Sequence, residues 1–145
     1  MAVRIDVEYL GDLHTRATHG PSGDTFITDA PVDNGGRGEA FSPTDLVATA
    51  VGTCVLTIMG TLAQRLGIDL SGAKAHVEKH MATAPLRRIG RLDVNVVVPA
   101  ERAVAIDQAQ RDKLERAAMH CPVHQSLHPD IAQNITFTYE APAPG

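Results

Sequence analysis

Two cysteines are the residues of this chain best suited to chemistry. Cys54 lies within a long uncharged run, and Cys121 follows His120 and precedes Pro122. The thiolate is the reactive form of such a side chain, both as a nucleophile and as a metal ligand. The two stand 121 − 54 = 67 positions apart and neither belongs to a CxxC pair, so spacing leaves open whether they meet. A lone cysteine on an apolar helix is commonly a small buried hydrophobe, and that reading of Cys54 stands beside the reactive one. For Cys121 the reactive reading is stronger, because a helix-ending turn next to an imidazole is a place where a thiol can be held beside a titratable base. Its plain alternative is a packed helix-terminal cysteine.

Other side chains extend these options. Cys121, His124 and His128 fall within one short segment, with the two histidines four apart as on one helix face, which admits a metal reading. Against it stand the absence of another cysteine nearby and Pro129, which ends the turn. Arg37 and Glu39 sit in the glycine-rich stretch PVDNGGRGEA, residues 31–40. They read either as a solvated pair or as groups that flexible backbone folds over a pocket mouth, where a guanidinium favours a thiolate. Arg16 competes for that role. Thr49, Thr53, Thr57 and Thr61 recur every fourth residue, a spacing at which each hydroxyl returns to a carbonyl one turn earlier. They form a structural stripe.

The element that must carry Cys54 is FSPTDLVATAVGTCVLTIMGTLAQRL, residues 41–66, with no charge between Asp45 and Arg65. Ser42 as N-cap, Pro43 in the first turn and Asp45 at its positive end start a helix, and Gly67 stops it. A helix apolar on nearly every side has to be wrapped by other elements, including those of a second chain. Before it, 3–9 alternate as a strand with one wet face, Gly11-Asp12 turns, and 13–18 and 25–28 complete a meander. After it, 73–83 and 88–98 read as strands, the second with Leu92, Val94, Val96 and Val98 on one face, and Ala84-Pro85-Leu86 turns between them. Residues 106–119 have helical spacing and deliver His120 and Cys121; a helical turn over 123–127 and a strand over 134–140 follow. The tail APAPG is expected to fray.

Length and charge bound the rest. With 145 residues the chain is expected to form one domain over 1–145, and 13 Lys plus Arg against 17 Asp plus Glu give a net charge of −4. That balance offers no electrostatic case for nucleic acid or anionic membrane and suits a small or neutral partner. The start MAVRIDVEYL lacks the apolar core of a secretion signal, so a cytoplasmic protein is expected. Cysteines in a reducing compartment are more often reactive or metal-binding than permanent staples. The uncharged run could span a bilayer by length, but its threonines and glycines and its isolation argue against a membrane span.

Ser42-Pro43-Thr44-Asp45-Leu46 leading into Gly52-Thr53-Cys54, together with His120-Cys121-Pro122-Val123 ending a second helix, resembles the OsmC/Ohr family. That family comprises osmotically inducible protein C and organic hydroperoxide resistance protein, and the likeness in element order extends over nearly the whole chain. The resemblance implies an α+β fold in which antiparallel sheets wrap long central helices in an intertwined homodimer. It further implies a cofactor-free, metal-free thiol peroxidase that reduces organic hydroperoxides, and hydrogen peroxide, with Cys54 peroxidatic and Cys121 resolving. A thiolate attacks the peroxide oxygen to give a sulfenic acid, the second thiol condenses to a disulfide, and an external dithiol reduces it.

One position departs from the pattern: many members carry glutamate directly after the helix-starting proline, partnered with an arginine, and here that position is Thr44. Along an ideal helix Thr44 lies about 80° from Cys54 and ~15 Å away in rise, so it could serve a thiol only across a dimer interface. Arg37, Glu39, Thr44 and His120 are thus the candidates for binding substrate or steadying the thiolate. A small-ligand-binding or redox-sensing dimer of the same fold without efficient turnover is the alternative, and a Cys/His metal-binding protein a third.

Overall fold

The computed structural model describes residues 1–144, and the chain divides into two compact units, Met1–Val47 and Ala48–Gly145. Residues 141–144 of the expected frayed tail have no regular structure, and Gly145 lies outside the described residues.

In the first unit, alternation of apolar and polar residues gives an antiparallel meander of β1 (Ile5–Gly11), β2 (His14–His19) and β3 (Thr25–Asp29). The expected turn at Gly11-Asp12 runs through left-handed backbone, with φ of 89° at Gly11, 51° at Asp12 and 62° at Leu13. The register aligns Val7 with Ala17 and Ala17 with Phe26, so Ile5, Val7, Tyr9, Ala17 and Phe26 share one face. That face is apolar yet open: Ile5, Val7 and Tyr9 are 61%, 64% and 65% exposed.

Residues 30–42 return from β3 toward the first helix. The segment read as irregular contains one short 3-10 turn, Val32–Asn34, ended by Gly35. Gly36 is required by contact, since a Cβ there would lie 1.7 Å from the Ala30 carbonyl oxygen. The helix start is built as the sequence predicts. Ser42 Oγ accepts from the Asp45 amide (3.1 Å) while the Ser42 amide donates to Asp45 Oδ2 (2.9 Å). This reciprocal cap satisfies two amides that a bare helix end would leave unpaired.

The helix so started, α1, runs over Pro43–Leu66, and most of its length belongs to the second unit. It is long and apolar enough to cross a membrane by length and composition, with mean hydropathy 1.9 in its most apolar window, of which 33% is buried. Its buried residues, Ala48, Val51, Gly52, Val55, Met59 and Ala63, fall on one helical stripe. Gly52 brings the helix close to a sheet: an added Cβ would lie 2.8 Å from Val77 Cγ2. Thr57 and Thr61 return their hydroxyls to Thr53 and Thr57 carbonyls (2.8 and 2.9 Å), as their spacing predicts.

That sheet holds β4 (Lys74–Ala82), β5 (Arg88–Val98) and β6 (Ala132–Tyr139) in the order β4-β5-β6. Leu92, Val94, Val96 and Val98 are buried on one face of β5, as their alternation predicts. The expectation of purely antiparallel sheets needs correction: β4 pairs antiparallel with β5, but β6 pairs parallel with it. A tight turn can join only antiparallel neighbours, whereas β5 and β6 are joined by a crossover through α2 (Ala100–Ala103), α3 (Gln108–Ala118) and α4 (Pro122–Ser126). α3 opens with a capping box between Asp107 and Gln110 and buries Leu114 and Ala118. Tyr139 on β6 holds it in place, with the Arg111 guanidinium 4.2 Å over its ring and its hydroxyl donating to Glu115 Oε2 at 3.4 Å. Burial of the ring and the Glu115 carboxylate push the Tyr139 phenol up to about 12, so it remains a donor.

Candidate functional site

Within the second unit, the fold brings the two thiols together. α1 presents Cys54 beside its buried stripe, half-buried, among uncharged neighbours. The end of α3 and the break at Pro122 set Cys121 at the N-cap of α4, where it is fully buried. Its sulfur accepts the His124 amide at 3.2 Å. Both cysteines are free thiols, and Cys54 is near enough to Cys121 to act on its titration.

The electrostatics at Cys121 favour its protonated form. Burial pushes the Cys121 thiol up, and the neighbouring Cys54 pushes the same way, while the His124 and Val123 amides oppose them. Both upward effects favour the protonated form of Cys121. Exposure points the same way, since a molecule arriving from solvent meets half-buried Cys54 before buried Cys121.

The segment around Cys121 is braced by groups that the sequence suggested for other tasks. His124 Nδ1 lies 2.6 Å from Gln133 Oε1, and Gln133 Nε2 donates back to the His124 carbonyl at 3.1 Å, tying α4 to β6. His128 falls after the end of α4, and its Nδ1 accepts the Asp130 amide at 3.0 Å. The helix face shared by His124 and His128 does not form, because Leu127 is already extended. His120 is exposed and its Nδ1 donates to the Arg116 carbonyl (2.8 Å), toward its own helix.

The remaining candidates lie in the first unit. Arg37 Nη1 is 3.6 Å from Glu39 Oε1, and Arg16 Nη1 is 3.6 Å from Glu8 Oε1, all of them exposed groups. Thr44 Oγ1 shares a 3.2 Å hydrogen bond with Ser42 Oγ. Sequence reasoning missed the residue that organises this region, Asp29. Its side chain is fully buried, and Oδ2 accepts the amides of Arg37 (3.2 Å) and Glu39 (3.1 Å). The Glu39 amide is the leading cause that holds the Asp29 carboxyl below its usual range. An acid at the end of a strand reads as a solvated turn residue, and no local pattern marks this one as buried.

Fold and thiols together define a class: a small α+β protein in which a crossover carries a buried cysteine onto one borne by the long central helix. The sequence model of the OsmC-like protein family matches residues 36–136. The chain belongs to that family. A solved structure from Psychrobacter arcticus, whose name provisionally ascribes to it an osmotic-stress-induced and detoxification response, is 44% identical. The match covers 92% of this chain and 93% of that one, with a TM-score of 0.84. An organic hydroperoxide resistance protein from Legionella pneumophila shares the fold at 14% identity, with 95% and 97% covered and a TM-score of 0.74. Another from Elizabethkingia anophelis does so at 12% identity, with 97% of each chain covered and a TM-score of 0.73. No curated protein matches the chain in sequence.

Proposed function

We propose that the chain is a thiol-dependent peroxidase acting on organic hydroperoxides through Cys54 and Cys121. The observation that supports this most is the proximity of two thiols that lie in separate helical segments, one half-buried and one sealed. The Cys54 thiolate attacks one peroxide oxygen; the O–O bond breaks, alcohol leaves, and Cys54 becomes a sulfenic acid. The Cys121 sulfur then attacks the sulfenic sulfur, losing its proton, and water leaves as the disulfide forms. An external dithiol restores both thiols by exchange. The uncharged helix that carries Cys54 favours an apolar peroxide over a strongly hydrated one. In this reading residues 1–145 form one OsmC-like domain that works in the cytoplasm as a homodimer, without cofactor or membrane.

Turnover of cumene hydroperoxide in the presence of a dithiol tests the proposal. Wild type consumes the peroxide catalytically and Cys54→Ser does not; equal rates in the two would end it. A redox-sensing dimer is the second reading, favoured by Thr44, which bonds to Ser42 and offers no carboxylate where the family pattern described above has glutamate in many members. A sensor forms the same disulfide but shows no sustained turnover with excess dithiol.

A further inference from the structure

The first unit holds a second cluster of chemically capable groups that the thiol chemistry does not use. His14 opens β2, Asp29 ends β3 and Glu39 lies on the loop that follows, and each offers a ligand atom within 4.8 Å of the others. We propose that His14, Asp29 and Glu39 bind a divalent transition-metal cation such as zinc, as a structural clasp on this loop.

Three observations carry it. First, His14 Nδ1 lies 2.7 Å from the Asp12 carbonyl oxygen, an acceptor only, so that nitrogen bears a proton and donates it. This is how backbone carbonyls orient metal-binding imidazoles, leaving the other nitrogen free to ligate. Second, Nε2 faces two carboxylates, 3.1 Å from Glu39 Oε2 and 3.5 Å from Asp29 Oδ2. Ligand bonds of about 2.0–2.2 Å in a tetrahedron place donors roughly 3.4 Å apart, so these separations suit a zinc-sized ion. Third, Asp29 Oδ1 is buried without a hydrogen-bond partner, although the residue is only 1% exposed. A buried carboxylate oxygen without a partner is unusual and calls for an explanation, of which a bound ion is one.

An imidazolium at His14 is the competing way to reconcile the cluster, but its single Nε2 proton serves one acceptor well and leaves Asp29 Oδ1 as it stands. A dication balances both carboxylates at once. One imidazole with two carboxylates is a donor set for zinc or manganese rather than for a soft ion. The ion would add His14 and the Glu39 side chain to the clasp that Asp29 Oδ2 already makes with the Arg37 and Glu39 amides.

Zinc titration by calorimetry tests this on untagged protein at neutral pH, in a Cys54→Ser/Cys121→Ser background because thiols also bind zinc. The expected result is one zinc per chain, lost or weakened by roughly tenfold or more in His14→Gln and in Glu39→Gln. Far-UV circular dichroism should show both variants folded, and His80→Gln, in the cluster of Glu78, His80 and Asp93, should bind as the background does. Cobalt should give visible bands without thiolate charge transfer. No zinc bound, unchanged affinity in both His14 and Glu39 variants, or loss in His80→Gln instead would overturn the proposal. So would nitrogen NMR showing that His14 Nε2 keeps its proton in excess zinc.

Discussion

At Cys121 the physical pressures all bear on one proton. The thiol is sealed from solvent beside Cys54, and the His124 and Val123 amides do not cancel the upward effects of burial and of that neighbour. Because the folded state holds this proton more tightly than the unfolded chain, its contribution to stability is complete below the ordinary thiol range. It is lost as pH rises toward the folded value. Urea midpoints should therefore fall on the alkaline side in reduced wild type and fall less in Cys121→Ser; parallel curves would remove this account of the buried thiol. The same residue predicts a chemical phenotype. Without a resolving thiol the sulfenic acid at Cys54 persists and meets a second peroxide, so Cys121→Ser should accumulate sulfinic Cys54 by mass spectrometry. The alkaline loss of stability was not legible in the sequence alone, whereas the over-oxidation follows from the resolving role that the family resemblance implies for Cys121. The residues around each cysteine marked the family resemblance, but the 66 residues between them do not say whether the two sulfurs meet.

Among the elements, α1 shows how local chemistry and packing can pull against each other. Gly52 and Gly60 lie on the same helix, but a Cβ on Gly52 would meet Val77 Cγ2 at 2.8 Å, whereas one on Gly60 would meet nothing within 4 Å. Replacing glycine by alanine gains up to about 1 kcal/mol of helix propensity, and overpacking costs about 1–3 kcal/mol. Gly60→Ala should raise the urea midpoint and Gly52→Ala should lower it by about 1 kcal/mol equivalent; the same sign for both would contradict the packing of α1 on β4. The loop after β3 makes a different prediction. Asp29 is held as a carboxylate by the Glu39 and Arg37 amides. Its stabilising effect is present above the ordinary carboxylate value and fades as pH falls through its depressed one. Those two amides should lose hydrogen-exchange protection in Asp29→Asn, with β5 amides unchanged. Periodicity revealed the elements well: the Leu92 to Val98 alternation, the Ser42 and Asp45 cap and the meander all stand as read. It could not reveal that β6 runs parallel to β5, because pairing direction is decided by a crossover of three helices whose path no local window contains.

For the molecule as a whole, composition already stated the difficulty that the fold exposes. α1 is uncharged from Leu46 to Gln64 but buries one stripe, and β1 shows Ile5, Val7 and Tyr9 to solvent. Apolar surface of this kind marks an interaction site, and a second copy covering it accords with the homodimer proposed above. Sedimentation should give a dimer for wild type and a smaller species for Val7→Asp; a monomeric wild type would contradict that assembly. The central claim, however, concerns the thiols. It is tested most directly by adding one equivalent of cumene hydroperoxide to fully reduced protein and mapping the products by mass spectrometry. The expected result is a disulfide joining Cys54 to Cys121 within one chain, with one alcohol released per disulfide formed. Peroxide left unconsumed with both thiols intact, or a disulfide linking Cys54 only to the same residue of another chain, would contradict it.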